Sequence, residues 1–471
     1  MKPTSCCCSN SNNSSSNGTG RYNRGHVLMN GLTPPGPKGR LLVGVLPEFR
    51  KNPAEYLEKM ARQYGDFLYL PLGRQHIYYV GHPDTVRDIL VTHQNKFKKS
   101  RMLERARVLL GDGLLTSEGD HHRRQRRLVQ PAFHRDRLAG YGAVMVERTA
   151  EVRERWQSGA SFDVLQEMMR LTLAIVAKTL FSTEVDSEAD DIGTALTEVF
   201  ALFDIILLPF SELLEKLPLP AVRRFHRARK RLDQTIYRLI AERRALGIDA
   251  GDLLSMLLLA RDEDGQGGMT DPQVRDEALT LFLAGHETTS NALTWTWYLL
   301  SQNPAAEAAF HAEIDTALAG RLPSFEDLPR LRYTESVFAE SLRLYPPVWG
   351  IGRRALEDYP VGDFVVPKGS VVLMSPYAMH RDSRWFPDPL EFRPERWLSD
   401  DAARPKFAYF PFGGGARVCI GERFAWMEGI LILAALGERW RLRLEPGHRV
   451  ETHARITMRP KHGMRMIAQQ R

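Results

Sequence analysis

Cysteine is scarce in this chain, which has four among 471 residues. Cys6, Cys7 and Cys8 are adjacent, so Cys419 is the one cysteine outside the first 31 residues. This distribution excludes a disulfide framework. A lone thiol also fits a reducing compartment, and we therefore expect the protein in the cytoplasm.

Long apolar runs are also lacking. The longest lies near residues 201–210 and is interrupted by Asp204, whereas a membrane-spanning helix needs about 18 to 20 apolar residues. We therefore expect no integral membrane anchor.

Acidic residues are absent from residues 1–40, although the whole chain contains 57. That segment carries five of the seven net positive charges, which leaves +2 for residues 41–471. The high isoelectric point therefore comes mainly from the amino-terminal end. A nearly neutral body does not have the charge that nucleic acid binding requires, and we expect no nucleic acid partner.

Residues 1–31 are rich in Ser, Asn and Gly and poor in apolar side chains. This composition predicts a disordered leader. Met29 stands just before a Pro-Gly segment after which apolar periodicity begins, and we hypothesise that translation starts there. We expect residues 32–471 to form a single domain, because no linker or repeat interrupts them.

The periodicity of the body predicts a mainly α fold with a minor, mostly N-terminal, β part. A hairpin is expected over residues 67–80 with its turn at Gly73, and a second strand pair over residues 364–366 and 371–374. Apolar spacing of three and four residues predicts helices over 120–135, 141–182, 220–246, 272–302, 305–318 and 331–344.

The segment from Phe412 to Gly421 contains three consecutive glycines followed by a strongly helical sequence. Cys419 is therefore expected at a helix N-terminus, where the dipole and free amides favour a thiolate. Zinc and iron–sulfur sites need several clustered ligands, which are missing here. One axial thiolate on a haem iron needs only one cysteine.

The helix predicted from residue 272 is apolar almost all round, yet its middle reads Ala284-Gly285-His286-Glu287-Thr288-Thr289-Ser290. Burying a carboxylate and hydroxyls is costly unless a ligand or water satisfies them. The hydroxyl of Thr288 can bond back to the carbonyl of Ala284 and loosen the helix. We therefore expect a functional groove at this point.

These segments resemble the cytochrome P450 family. The haem-binding signature F-x-x-G-x-R-x-C-x-G is matched at Phe412, Gly415, Arg417, Cys419 and Gly421. The stretch that begins at Ala284 is similar to the family's A-G-x-[DE]-T-[TS] motif. The resemblance implies a P450 fold whose long central helix crosses the haem, with Cys419 as axial iron ligand and with Glu287 and Thr288 handling protons.

Further matches concern support and haem binding. Glu340 and Arg343 resemble the family's E-x-x-R pair, with Arg396 as the third member and Arg393 as the fallback. The resemblance assigns these residues to structure. It also implies contacts between the haem propionates and four basic residues: His122, where the family's motif has Trp, Arg126, Arg353 and Arg417.

The resemblance implies a monooxygenase that uses haem b and O2 and inserts one oxygen atom into a lipophilic substrate such as a fatty acid or terpenoid. The chain has no G-x-G-x-x-G motif, and we therefore expect electrons to come from a separate ferredoxin or flavodoxin-type partner. We expect Arg123, Arg124 and Arg127 to face outward and to bind it. Substrate contacts are expected around residues 102–115 and 201–219.

Two alternatives stay open at this point. One is an enzyme of the same fold that rearranges peroxides or dehydrates substrates without external electrons. The other is a non-catalytic haem-thiolate sensor. Glu287 and Thr288 argue against the first, and the second would be expected to carry a DNA-binding or signalling module.

Overall fold

The structure is a computed structural model that describes residues 34–73, 75–182, 219–261, 267–399 and 404–471. The predicted leader and residues 201–218 of the expected substrate segment lie outside these ranges. The α-helices of the described ranges are α1 (Leu46–Lys51), α2 (Pro53–Tyr64), α3 (Pro83–Arg87), α4 (Arg101–Arg105), α5 (Arg107–Leu110), α6 (Gly119–Val129), α7 (Arg135–Arg155), α8 (Val164–Phe181), α9 (Pro220–Leu246), α10 (Leu253–Leu259), α11 (Asp271–Gln302), α12 (Pro304–Leu318), α13 (Arg332–Leu344), α14 (Pro376–Met379) and α15 (Glu422–Gly437).

The strands form one larger and several small sheets. They are β1 (Phe67–Leu72), β2 (Gln75–Val80), β3 (Phe97–Lys99), β4 (Ser161–Asp163), β5 (Ile351–Ala355), β6 (Tyr359–Val361), β7 (Phe364–Val366), β8 (Val371–Met374), β9 (Trp440–Leu444), β10 (Thr452–Ala454), β11 (Met458–Pro460) and β12 (Arg465–Gln470). The larger sheet has the order β1-β2-β8-β5-β3, and a three-stranded sheet has the order β4-β12-β9. The pairs β6–β7 and β10–β11 are separate hairpins. The fold is mainly α with a minor β part, as the sequence predicts.

The long helix α11 is the central element. The hydroxyl of Thr270 accepts from the amide of Gln273, and the side chain of Gln273 accepts from the amide of Thr270, which forms a capping box. The helix then runs for 32 residues, or about 48 Å, and ends before Pro304. One large apolar cluster packs along its C-terminal half around Trp295 and Trp297, and another packs along its N-terminal half.

The helix predicted over 141–182 is two helices. α7 ends at Arg155 and α8 begins at Val164, with the short strand β4 between them. Gly159 in this connection has a φ of +84°, which a continuing helix does not allow. The carboxylate of Asp163 then caps α8 by accepting from the amide of Leu165 at 3.0 Å. The apolar periodicity therefore continued across a turn that the sequence analysis overlooked.

The first hairpin is confirmed: β1 and β2 pair antiparallel around Gly73, which has a φ of +59°. The second predicted pair is wrong in its pairing. Both segments are strands, but β7 pairs with β6, while β8 lies between β2 and β5 in the larger sheet. The β part is also not mostly N-terminal, since β9 to β12 all lie within residues 440–470.

The Glu340–Arg343 pair on α13 is entirely buried, with both side chains 0% exposed. The guanidinium of Arg343 donates to both carboxylate oxygens at 2.8 Å and also to the carbonyls of residues 380, 389 and 391. Arg396 donates to Glu340 at 2.9 Å, and so does the indole of Trp397. Arg396 is therefore the third member, whereas the side chain of Arg393 pairs with exposed acids.

This network ties α13 to the segment around residues 380–397. The pKa of Glu340 lies below its ordinary value: burial opposes ionisation, but the hydrogen bonds and charges of Arg343 and Arg396 outweigh it. Breaking such a network leaves a buried charge without its partner.

We expect Glu340→Ala to lower the free energy of unfolding by about 3–5 kcal/mol, because Arg343 keeps its buried charge without a carboxylate. Urea unfolding followed by circular dichroism measures this. Arg393→Ala is the matched control and should leave the free energy of unfolding nearly unchanged, since the ion pairs of Arg393 are exposed. Equal costs for the two variants would contradict the assignment.

Candidate functional site

The loop before α15 is shaped by its glycines. Gly413 and Gly415 have φ values of +76° and +69°, whereas Gly414 is extended. A Cβ on Gly415 would lie 1.9 Å from the carbonyl oxygen of Leu90, which follows α3. The amide of Cys419 donates to the carbonyl of Phe412 at 3.0 Å and closes the loop. The signature residues thus hold the cysteine in one tight turn that packs against the backbone at Leu90.

Cys419 lies just before α15, as predicted. Its side chain is accessible although protein atoms surround it closely. Burial raises the pKa of this thiol to about 11, and the amide of Gly421 and the charge of Arg126 only partly oppose this. The predicted preference for a thiolate is therefore not met by the helix terminus alone. A bound metal cation would supply the missing stabilisation.

The middle of α11 also borders an accessible space. Ala284 is exposed, while the two residues directly before it, Phe282 and Leu283, are buried. The hydroxyl of Thr288 donates to the carbonyl of Ala284 at 2.6 Å, the back-bond predicted from the sequence. This bond takes a carbonyl out of regular helix geometry and favours a local groove.

Glu287 points elsewhere. It is 8% exposed, and its carboxylate accepts from the hydroxyl of Thr457 at 2.7 Å. Burial raises its pKa, although Thr457 and the charge of Arg459 act in the opposite direction. The structure therefore places the two predicted proton-handling residues on different faces of α11.

The predicted propionate-binding residues come together with one that the sequence analysis missed. Arg126 on α6 donates to the carbonyl of Val418 at 2.8 Å, next to Cys419. Arg417 donates to the carbonyl of Ser117 at 2.8 Å and pairs with Glu118. The missed residue is Lys99 at the end of β3, 5% exposed, whose ammonium donates to the carbonyls of residues 114 and 117.

The basic groups depress one another's pKa values. Burial and then the charge of Arg417 lower the pKa of Lys99 to about 7 and that of Arg353 to about 10. Burial, followed by neighbouring cations, lowers the pKa of His122 to about 3, so its ring is neutral at pH 7. A neutral ring can still donate one N–H.

This group, which we call the basic cluster, consists of Lys99, His122, Arg126, Arg353 and Arg417. Within the described residues it has one ion pair, between Arg417 and Glu118. The hydroxyl of Ser117, beside two of its members, is buried and has no hydrogen-bond partner in the described part of the chain. Uncompensated buried cations and a free hydroxyl match a ligand with two carboxylates.

The residues present thus fit a haem. Cys419 offers one thiolate, the groove at Ala284 lies on the central helix, and the basic cluster offers donors for two propionates. Lys99 does not belong to any motif that the sequence analysis used. The one sequence signal for it is its position in the short strand Phe97-Lys98-Lys99, where the first and third side chains are buried.

The expected outward arginines are only partly as predicted. Arg123 and Arg127 are exposed on α6. Arg124 is half-buried and donates to the carbonyl of Gly268 at 3.0 Å, so it does not face outward freely. Because an α-helix turns by about 100° per residue, Arg124 lies about 100° around the helix from Arg123 and about 60° from Arg127.

We expect Gly415→Ala to cost about 1–3 kcal/mol more in unfolding free energy than Gly447→Ala. Both glycines have positive φ, but a Cβ at Gly447 meets nothing within 4 Å, whereas one at Gly415 strikes Leu90. Urea unfolding of both variants measures the difference. If Gly415→Ala cost no more, the close approach would not constrain the loop.

In the described part of the chain, no helix is both long enough and apolar enough to span a membrane.

Comparison with known proteins agrees with this geometry. The family model described as Cytochrome P450 matches residues 34–465. The chain is 41% identical over 431 residues to a cyclooctatin synthase of Streptomyces melanosporofaciens, covering 90% of this chain and 92% of that one. It is 39% identical over 409 residues to a cyclooctat-9-en-7-ol 5-monooxygenase of the same organism, covering 86% and 88%. It is 36% identical over 420 residues to a pentalenene oxygenase of Streptomyces avermitilis, covering 88% and 93%. The chain therefore belongs to the cytochrome P450 family.

Proposed function

We propose that this cytochrome P450 monooxygenase hydroxylates a terpenoid. The predicted substrate classes were fatty acids and terpenoids. The names of the relatives favour the second, since two of them act on cyclooctat-9-en-7-ol and on pentalenene. The observation that carries the monooxygenase assignment in the structure is the accessible thiol of Cys419 just before α15, and the Thr288–Ala284 back-bond of α11 adds support.

The cofactor of the family is haem, and we propose haem b, held by Cys419 and the basic cluster. When bound, haem supplies the activation of O2 and the insertion of one oxygen atom into a C–H bond. Cys419 would give the axial thiolate. Arg126, Arg353, Arg417 and Lys99 would pair with the propionates, and His122 would donate a hydrogen bond.

Phe412, Gly415 and Gly421 shape the cysteine loop, while Ala284 and Thr288 keep a polar groove in an otherwise apolar helix. We propose that Thr288 holds a proton at its hydroxyl and that Glu287 moves protons into the groove. Burial raises the pKa of Glu287 above that of an exposed carboxyl, which favours the uptake of a proton.

We propose a single catalytic domain over residues 32–471, since the family match is continuous across the described helices. The cytoplasm stays the predicted location.

The test is turnover with a surrogate ferredoxin and reductase on a panel of terpenoids and fatty acids. We expect O2 uptake that depends on both reductant and a terpenoid, hydroxylated product, a substrate-induced spin shift, and a thiolate-type Soret band of the reduced carbon monoxide complex. Product without reductant would indicate an isomerase, a dehydratase or, when peroxide drives turnover, a peroxygenase. Ligand binding without O2 uptake would indicate a sensor, and a histidine-type Soret band would remove Cys419 as the ligand.

The electron donor is proposed to be a ferredoxin or flavodoxin-type protein that binds the outer face of α6. Arg123 and Arg127 are four residues apart on that face and both exposed, which suits an acidic partner. Arg126 on the inner face of the same helix contacts the carbonyl next to Cys419. This helix therefore connects the outer surface with the cysteine loop.

We expect Arg127→Glu to slow reduction by the partner several-fold at low ionic strength, with a smaller effect as salt is added, because exposed charge mainly steers association. Stopped-flow reduction under carbon monoxide measures the rate. The control is Lys51→Glu, which makes an equal charge change at an exposed site on α1. The partner should reduce this variant at the same rate as the unmodified protein. An unchanged rate for Arg127→Glu would contradict docking at this face.

A further inference from the structure

One stripe of α11 faces the β10–β11 hairpin rather than the groove. Glu287, Asn291 and Trp295 are spaced four residues apart and therefore lie on one side of the helix. The amide of Asn291 donates to the hydroxyl of Thr457 at 3.3 Å, and the indole of Trp295 donates to the carbonyl of Met458 at 3.4 Å. The hairpin is thus attached to the helix by polar contacts.

Thr457 is the centre of this attachment. Its hydroxyl accepts from Asn291 and donates to Glu287 at 2.7 Å, which uses its one proton. Thr457 is 7% exposed and Asn291 is 1% exposed, so water competes little for these bonds. Within the described residues, Thr457 is the one hydrogen-bond partner of the Glu287 carboxylate.

Thr288 is the next residue along the helix, but its hydroxyl donates to Ala284 on another face. The carboxylate of Glu287 is therefore held away from the groove that its proposed role serves. A proton taken up by Glu287 reaches the groove only if the side chain turns or another group relays it.

The hairpin also sets the electrostatics of this carboxylate. The charge of Arg459 on β11 and the hydrogen bond from Thr457 lower its pKa, against the larger effect of burial. On α11 itself the adjacent His286 is neutral at pH 7, because burial lowers its pKa to about 4. The facing groups that favour the ionised form thus come from the hairpin.

We propose that Thr457 is a positioning residue that holds the carboxylate of Glu287 on the hairpin side of α11 and so controls the delivery of protons to the groove. This inference rests on the proposed proton-transfer role of Glu287. The inference adds Thr457, which lies 170 positions after Glu287 in the chain. It predicts that the hydroxyl of Thr457 governs how efficiently oxygen is used to form product.

The test compares Thr457→Val, which keeps the shape and removes the hydroxyl, with Thr457→Ser, which keeps the hydroxyl. The measured quantities are product formed per reductant consumed and peroxide released, each as a function of pH. We expect Thr457→Val to lower the product yield several-fold and to release more peroxide. Thr457→Ser should restore most of the yield.

The pH dependence separates positioning from packing. Loss of the Thr457 hydrogen bond removes one influence that lowers the pKa of Glu287, so that pKa rises further. The carboxylate needed to accept a proton is then lost at higher pH as the medium is acidified. We expect the acid limb of the yield profile to move to higher pH in Thr457→Val and to stay near its original position in Thr457→Ser.

Glu287→Gln distinguishes the two levels of the proposal. If Glu287→Gln impairs the yield and adding Thr457→Val to it causes no further loss, the two residues act together. Impairment by Glu287→Gln with an unchanged Thr457→Val would overturn the role of Thr457 alone, and an unchanged Glu287→Gln would overturn both. Equal losses of product yield in Thr457→Val and Thr457→Ser would also overturn the role proposed for Thr457. The spectrum of the reduced carbon monoxide complex and the substrate-induced spin shift check that each variant is folded. If Thr457→Val does not bind haem, Thr457→Ala takes its place, and the same shift of the acid limb is expected.

Discussion

The structure depends on a single constraint: a helix of 32 residues crosses the apolar core with polar groups in its middle. Most of these groups find a partner, because an unpaired polar atom in such surroundings costs about 1–3 kcal/mol; Nδ1 of His286 is buried and has no hydrogen-bond partner among the described residues. Thr288 uses the carbonyl of Ala284, and Glu287 uses Thr457. The carbonyl of His286 accepts from Thr172 on α8 at 3.0 Å. The elements around α11 are thus fixed by polar contacts as well as by apolar packing.

Electrostatics near the cysteine loop follow from a related constraint. One member of the basic cluster, Arg126, acts on a thiol whose pKa is raised by burial, and another, Arg417, pairs with the carboxylate of Glu118. Neither feature favours the isolated protein, since cations repel one another and the thiol resists ionisation. Both become favourable when a metal cation and two carboxylates are bound. Folding and haem binding are therefore expected to be coupled.

Local patterns were the part of the fold that the sequence could predict. The turn at Gly73 and the Thr288 back-bond both involve residues within four positions of one another. The break between α7 and α8 was missed because apolar spacing continued through Gly159. The pairing of β8 with β2 was missed because it joins segments almost 300 residues apart, and nothing local specifies such a partner.

The same division applies to the site. Cys419, Arg126 and Arg417 were identified through their motifs, and the structure brings them together. Lys99 and Thr457 were not, because each acts through contacts with residues distant in sequence. Lys99 donates to carbonyls 15 and 18 positions away, and Thr457 bonds a residue 170 positions away. A lone lysine on a strand and a lone threonine in a turn are unremarkable until the fold places them.

Two buried glutamates show how partners, rather than burial, decide the role of a carboxyl group. Glu340 is 0% exposed and Glu287 is 8% exposed, yet the pKa of the first is lowered and that of the second is raised. Glu340 receives hydrogen bonds from two arginines, an indole and a backbone amide. Glu287 receives one bond from a hydroxyl and the more distant charge of Arg459. A fully paired carboxylate cannot release its partners without destabilising the fold, so it serves structure. A carboxyl with one neutral donor can gain and lose a proton at little structural cost, which is what proton transfer requires.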